Sequence, residues 1–299
     1  MHTQLPCGHK FCKKCIEVWE KQKGVDSSCP LCRTPLPPGP AKLFELGIGL
    51  YIKVKGAVER GRPGADPLSP WPVLSDEQQR EMVQAVTMLR ESADQRWLGG
   101  QVCCGNIYGL GHGVTQDDGL AHVYTEKAAQ QGHIGCEYNT GWAYEEGLGC
   151  EQDYARAAEW YEKAARQGYA RATNKLGYFH KDGQGFPQSY ERAIKLFEEA
   201  AGQGSASAMN NLGVLNQKGE GVPQNNEQAI EWYTKASRLG DTQAMANLGV
   251  LYTKSENTTH TNVNRGVRLL KKSAARGNAQ AQHALAVSRS PLMQHGTHQ

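Results

Sequence analysis

Apolar and polar positions along most of this chain recur with a period of 36 residues. At that offset Gly105, Gly141, Gly177, Gly213 and Gly249 fall in one column and Gly132, Gly168, Gly204 and Gly240 in another, with Gly277 following after 37. Between the columns lie the pairs Gly111 and Gly113, Gly147 and Gly149, Gly183 and Gly185, and Gly219 and Gly221. Self-similarity at this period marks stacked supersecondary units, each burying its apolar face against its neighbours.

The third copy, Ala170 to Ser205, predicts what one unit is. Leu176 to His180 suits a first helix, and the run from Lys181 to Pro187 holds two glycines and a proline and reads as a turn. Tyr190 to Gln203 suits a second helix, ended by Gly204 at a left-handed cap. Ala193, Phe197 and Ala200 recur at i, i+4 and i+7, a stripe that faces neighbouring helices; Ala157, Tyr161 and Ala164, then Ala229, Tyr233 and Ala236, hold the same positions. Trp160, Tyr161, Trp232 and Tyr233 are therefore read as packing residues. Gly177 and its equivalents sit inside a helix, where glycine costs about 1 kcal/mol relative to alanine. Recurrence of that cost implies compensation by close helix approach.

The pattern weakens at both ends. Ser255 to Asn264 replaces the glycine turn of the fifth copy with a polar loop, and Gly266 replaces an alanine of the stripe. Ala279 to Val287 reads as a closing helix, followed by a disordered tail. Upstream, Ser75-Asp76-Glu77-Gln78 can cap a helix running to Gln95, whose Ala85 and Ala93 lie one period before Ala121 and Ala129. A partner helix is expected over Ala41 to Lys55, across an inserted loop with Gly61, Pro63, Gly64, Pro67, Pro70 and Pro72. The resulting organisation is a cysteine-rich module over residues 1–36, a linker with a degenerate repeat over 37–96, five repeats (97–132, 133–168, 169–204, 205–240, 241–277) and a cap and tail over 278–299. Pro35, Pro37, Pro38 and Pro40 make the junction after the first module short and stiff. The expected fold class is mainly α: a solenoid of helical hairpins behind a small amino-terminal module.

That module is read from Cys7, His9, Cys12, Cys15, Cys29 and Cys32, spaced Cys-x-His-x2-Cys-x2-Cys-x13-Cys-x2-Cys. Each Cys-x2-Cys pair can aim two thiolates at one ion, and a structural zinc takes four such ligands in a tetrahedron. Six ligands are too many for one ion and too few for two. A sequential site of Cys12, Cys15, Cys29 and Cys32 also has acceptable spacing.

The segments LPCGHKFCKKCIEVW and SCPLCRTPL resemble a RING finger without its first cysteine pair. The resemblance covers residues 5 to 36 and implies that Cys7 and His9 share a zinc with Cys29 and Cys32, while Cys12 and Cys15 form half of a second site. It also implies that Trp19 and Pro30 touch a ubiquitin-conjugating enzyme and that Arg33 restrains donor ubiquitin. With Met1 six residues before Cys7, a truncated chain or misplaced start codon is the expected origin of the missing pair. Along the repeats, the pattern LG-x2-Y, G-x-G, A-x2-WY-x-KAA-x-QG resembles the Sel-one-like repeats, relatives of tetratricopeptide repeats. In related solenoids a groove binds extended peptides, which singles out the first-helix column Asn139, Lys175, Asn211 and Asn247.

Composition narrows the function classes. A net charge of +3 with 21% charged residues, and basic residues interspersed with acidic ones, gives no nucleic-acid footprint. The longest apolar stretch, Leu43 to Val54, is interrupted by Glu45 and Lys53, so no membrane span is expected. Of nine cysteines, Cys103, Cys104, Cys136 and Cys150 lie outside the zinc motif and read as free thiols in the reducing cytoplasm or nucleus. No local nucleophile-base set exists in the repeats, and His112, His122, His180 and His283 are isolated in sequence. The readings are a RING-type ubiquitin ligase that acts by positioning and whose repeats hold a substrate, a noncatalytic adaptor with a structural zinc, or a scaffold of repeats alone.

Overall fold

A computed structural model describes residues 2–4, 10–12, 38–61, 71–254 and 260–288. The inserted loop at 62–70, residues 255–259 of the expected polar loop, and the tail beyond 288 lie outside the described residues. The chain divides into two compact units, Met1–Gln152 and Asp153–Gln299. Among the described residues the architecture is mainly α, with thirteen helices and one two-stranded hairpin.

In the first unit, strands β1 (His2–Gln4) and β2 (Lys10–Cys12) pair antiparallel with Thr3 opposite Phe11. Five helices follow: α1 (Pro40–Gly61), α2 (Asp76–Asp94), α3 (Leu98–Leu110), α4 (Asp118–Ala129) and α5 (Ile134–Glu146). The capping box at the start of α2 forms as the sequence predicts. Gln78 N–H donates to Ser75 Oγ at 3.3 Å, and Ser75 N–H donates to Gln78 Oε1 at 3.0 Å. Helix α1 runs past the expected end at Lys55, because Gly56 alone does not stop a helix and Lys55 pairs with Glu59 one turn on, at 3.8 Å. Val54, Met82, Leu89, Cys104 and Ile107 form the buried centre, with Phe44, Tyr51 and Trp71 packed around it.

The second unit stacks α6 (Tyr154–Arg166), α7 (Ala170–Asp182), α8 (Tyr190–Gly202), α9 (Ala206–Lys218), α10 (Asn226–Arg238), α11 (Thr242–Lys254), α12 (His260–Ala274) and α13 (Ala279–Ser288). Two boundaries differ from the sequence reading. Helix α7 starts at Ala170, six residues before Leu176, because buried Ala172 and Thr173 continue its packed side. Helix α12 starts at His260, inside the stretch expected to be loop, since Val263, Val267, Leu270 and Ala274 carry a single apolar stripe through its polar first turns.

The glycine column is where paired helices touch. A Cβ built on Gly177 would lie 2.5 Å from the ring of Phe197, and one on Gly213 would lie 2.5 Å from the ring of Tyr233. Gly47 in α1 would meet Leu89 at 2.9 Å, so α1 and α2 repeat the same contact despite the inserted loop. At the far end Gly266 replaces the stripe alanine because a Cβ there would stand 2.8 Å from the carbonyl oxygen of Gly249. End hairpins carry serine where inner ones carry alanine: Ser92 Oγ donates to Pro40 O and Ser273 Oγ to Thr242 O, both at 2.7 Å. The turn glycines 132, 168, 204, 240 and 277 all adopt positive φ, and the equivalent position one period earlier is Arg96, with φ of 66°. A side chain there costs about 1–2 kcal/mol.

Phe197 is fully buried, so its ring cannot swing away from an added methyl group at Gly177. Overpacking should outweigh the gain in helix propensity, and Gly177→Ala should lose about 1–2 kcal/mol in urea unfolding. Adding Phe197→Leu should recover part of that loss in a double-mutant cycle.

Candidate functional site

Two regions carry the chemistry. In the amino-terminal module, the five-residue connection between β1 and β2 contains Cys7 and His9 in sequence, and Cys12 is the last residue of β2. Cys7, His9, Cys15, Trp19, Cys29, Pro30, Cys32 and Arg33 lie outside the described residues. The donor set itself suits zinc: Cys7, His9, Cys29 and Cys32 offer three thiolates and one imidazole, the chemistry of a closed tetrahedral structural site. Among the described residues no group of three or more His, Cys, Asp or Glu side chains could hold a metal ion.

The second region is the first-helix column. The structure does not give its members equivalent surroundings. Asn139 is exposed on α5, Lys175 is half-buried on α7, Asn211 is only 7% exposed on α9, and Asn247 is half-buried on α11. Asn211 Nδ2 donates to Asn174 Oδ1 at 2.9 Å, while its own Oδ1 accepts from the Tyr178 hydroxyl at 2.6 Å. One repeat on, Asn247 Nδ2 donates to Asn210 Oδ1 at 3.0 Å, and Asn247 Oδ1 accepts from Gln243 and Gln280, both at 3.2 Å. Gln243 also bonds Gln280 directly and accepts from Asn278 Nδ2 at 3.0 Å. These bonds form an amide ladder across successive first helices of the second unit. Asn174, Asn210, Gln243 and Gln280 were missed by the sequence reading. Their signal was an amide at i paired with an amide at i+37, one residue off the glycine period.

The histidines are less isolated in space than in sequence. His112 Nδ1 lies 2.8 Å from the Tyr51 hydroxyl and its ring stacks on Trp71 at 4.9 Å between centroids. His122 meets Tyr144 edge-on at 5.0 Å, and His180 stacks on Phe186 at 4.3 Å. His283 is exposed. Burial pulls the pKa of His112, His122 and His180 below the ordinary imidazole value of 6.5, so these rings are neutral at pH 7. Cys103, Cys104, Cys136 and Cys150 form no disulfide among the described residues, with burial pushing the pKa of Cys104 up to about 12 and of Cys136 to about 11. Protonated at neutral pH, Cys104 and Cys136 are packing groups rather than nucleophiles. The aromatic stripe is packed as read: Tyr161 and Tyr233 are fully buried, and Lys163 and Lys235 sit over the Trp160 and Trp232 rings at 3.5 and 4.3 Å.

Helical hairpins joined by turn glycines and closed by glycine contacts define a repeat protein of the solenoid class. The chain belongs to the Sel1 repeat family, whose model matches residues 84–133, 135–169, 170–205, 206–241 and 242–278. The Ring finger domain model matches residues 1–33. A 63-residue stretch is 40% identical to human E3 ubiquitin-protein ligase TRIM65, covering 21% of this chain and 11% of that protein. The chain therefore matches about a ninth of that relative's length. Among solved structures it resembles a Sel1 repeat protein from Oxalobacter formigenes, at TM-score 0.61 and 26% identity over 80% of this chain and 88% of that one. It is also similar to c5321, a protective antigen present in uropathogenic Escherichia coli strains and described as displaying an SLR fold, at TM-score 0.46 and 26% identity over 81% of this chain and 62% of that one. The first family match begins inside α2, yet the contact of Gly47 with Leu89 gives α1 the geometry of a repeat helix.

Two outcomes follow from the ladder and the buried imidazoles. Asn211→Ala leaves the Tyr178 hydroxyl and the Asn174 amide without their partner and should cost about 2 kcal/mol in urea unfolding, with a measurable coupling to Asn174→Ala. Because the three histidines have lowered pKa values, the unfolded chain takes up protons first, and stability should fall as pH drops below about 6.5. His122→Leu should make that fall shallower when urea midpoints are compared at pH values of about 7.5 and 5.5.

Proposed function

We infer that this protein is a RING-type ubiquitin ligase-like protein whose helical repeats hold a substrate or partner protein. The observation that carries this reading is the Ring finger match over residues 1–33 in the same chain as a Sel1 repeat array that begins at residue 84. The local likeness to a human E3 ubiquitin-protein ligase agrees with it. Cys7, His9, Cys29 and Cys32 would hold a zinc ion, and Cys12 and Cys15 would contribute to a second site. Four such protein ligands would supply a structural site only, with no open position for an activated water.

The residues do their work by placement. Trp19 and Pro30 dock a ubiquitin-conjugating enzyme, and Arg33 restrains donor ubiquitin so that its thioester faces an acceptor amine. The chain contributes no nucleophile, and its rate enhancement comes from proximity and orientation. The repeats present the acceptor protein, and within the first unit Asn139 is the exposed member of the first-helix column. Zinc thiolates place this activity in the reducing cytoplasm or nucleus. Among the described residues no helix is long and apolar enough to cross a membrane.

Native mass spectrometry should find zinc on the intact chain and lose it in Cys29→Ser. Discharge of ubiquitin from a charged conjugating enzyme to free lysine should be accelerated by the chain. Trp19→Ala or Arg33→Ala should each lower that acceleration by roughly tenfold or more while zinc is retained. A zinc-loaded chain that leaves the discharge rate unchanged would replace the ligase reading with that of a noncatalytic adaptor.

A further inference from the structure

Charge is unevenly distributed along the repeats. Residues 97–152 contain seven acidic side chains (Asp117, Asp118, Glu126, Glu137, Glu145, Glu146 and Glu151) and a single basic one, Lys127, in a chain whose net charge is +3. The same stretch forms a pocket of about 400 Å³, walled by α3, α4 and α5 within the first unit. Its lining includes the small residues Gly109, Ala121 and Ala143, with Gly105 bare where Thr125 packs against it. Trp142, 45% exposed, stands in its wall. The one formally charged lining group is Asp118.

Several features prepare this pocket for a cation. Gln116 Nε2 donates to Asp118 Oδ1 at 3.0 Å and orients the carboxylate, which keeps lone pairs for a further donor. Gly149 packs directly on the Asp118 backbone, where any Cβ would collide, so the turn after α5 holds the start of α4 in place. His122, 8% exposed, lines the pocket, and its Nδ1 has no hydrogen-bond partner among the described residues. Burial keeps that ring neutral at pH 7, so it adds no positive charge. Asn106 and Asn139 add amide oxygens to the lining. Glu146 lies on the same side of α5 as Asn139 and Trp142, at i+7 and i+4 from them, and extends the negative field beyond the pocket.

We propose that this pocket receives an arginine side chain from a basic segment of a partner protein. The guanidinium plane lies on the Trp142 indole and donates to Asp118, while the methylene stem covers the glycine and alanine lining. Arginine is preferred over lysine because its planar fork can stack and donate at the same time. The inference deepens the partner-binding reading of the repeats and rests on it, naming the chemistry that one part of the array selects. Nucleic acid is the wrong charge for this surface.

The test follows the Trp142 indole N–H resonance of the full chain, assigned through Trp142→Phe, during titration with N-acetyl-arginine methylamide. N-acetyl-citrulline methylamide, neutral and of nearly the same shape, is the control. A saturable shift with the arginine probe, weakened about fivefold in Asp118→Asn and by added salt, is expected; citrulline should produce little shift. Equal shifts with both probes would overturn the proposal in favour of a pocket for neutral side chains. No shift with either would overturn it outright. Ubiquitin discharge to free lysine uses no group of this pocket, so a ligase that passes that assay while the arginine titration fails separates the two readings.

Discussion

The repeat array depends on one recurring close approach: a first helix stripped of its side chain at one position so that a side chain of the second helix can lie against its backbone. Gly177 against Phe197 and Gly213 against Tyr233 show it in the second unit, and Gly47 against Leu89 shows it in the first. Intrinsic helix propensity argues against glycine at these points by about 1 kcal/mol each. The fully buried rings of Phe197 and Tyr233 supply the compensation, since each buries apolar surface that only a bare backbone can receive. The amide ladder and the turn geometry follow from the helix spacing that this contact sets.

That spacing also divides labour between the two sides of each hairpin. In the second unit, helices α6, α8 and α10 contribute alanines and a fully buried ring, Tyr161, Phe197 or Tyr233, to the interior. First helices carry asparagine and glutamine. In the second unit these amides are largely spent on one another: Asn211 is bonded on both its oxygen and its nitrogen, and Asn247 accepts from two glutamines. In the first unit the column instead opens on a pocket beside Asn139. A single repeated scaffold thus holds a self-satisfied polar seam in one unit and an accessible, acidic recess in the other.

Most of the fold was legible in the sequence because its constraints are local and repeated. Ser75 and Gln78 announce a capping box, and Gly183 with Gly185 announces a turn. The start of α7 was misjudged because its buried side there is made of small or polar residues. Ala172, Thr173 and Asn174 carry the start of α7 into the interior without looking hydrophobic, and α12 begins among polar residues that sit opposite its stripe. Arg96 was hidden for the opposite reason: it occupies a left-handed position that glycine fills in every later repeat, so a search for glycines passes over it. The ladder was half legible. Asn211 and Asn247 stand in the glycine-period column, but their partners Asn174 and Asn210 stand one residue to the side, because neighbouring first helices are offset when they pack. The acidic recess needed the fold, since Asp118 and Trp142 come from different helices and neither is unusual in its own segment.

The ladder also has a bearing on how such a chain can change over time. Each rung joins a residue to one 37 positions further on, so copying or deleting one whole repeat rejoins a rung of the same kind on either side of the cut. A single residue inserted within a first helix does the opposite, turning every amide beyond it by roughly 100° away from its partner. Length in this unit is therefore inherited in whole repeats: the array can grow or shrink by duplication while remaining intolerant of the smallest change inside a helix.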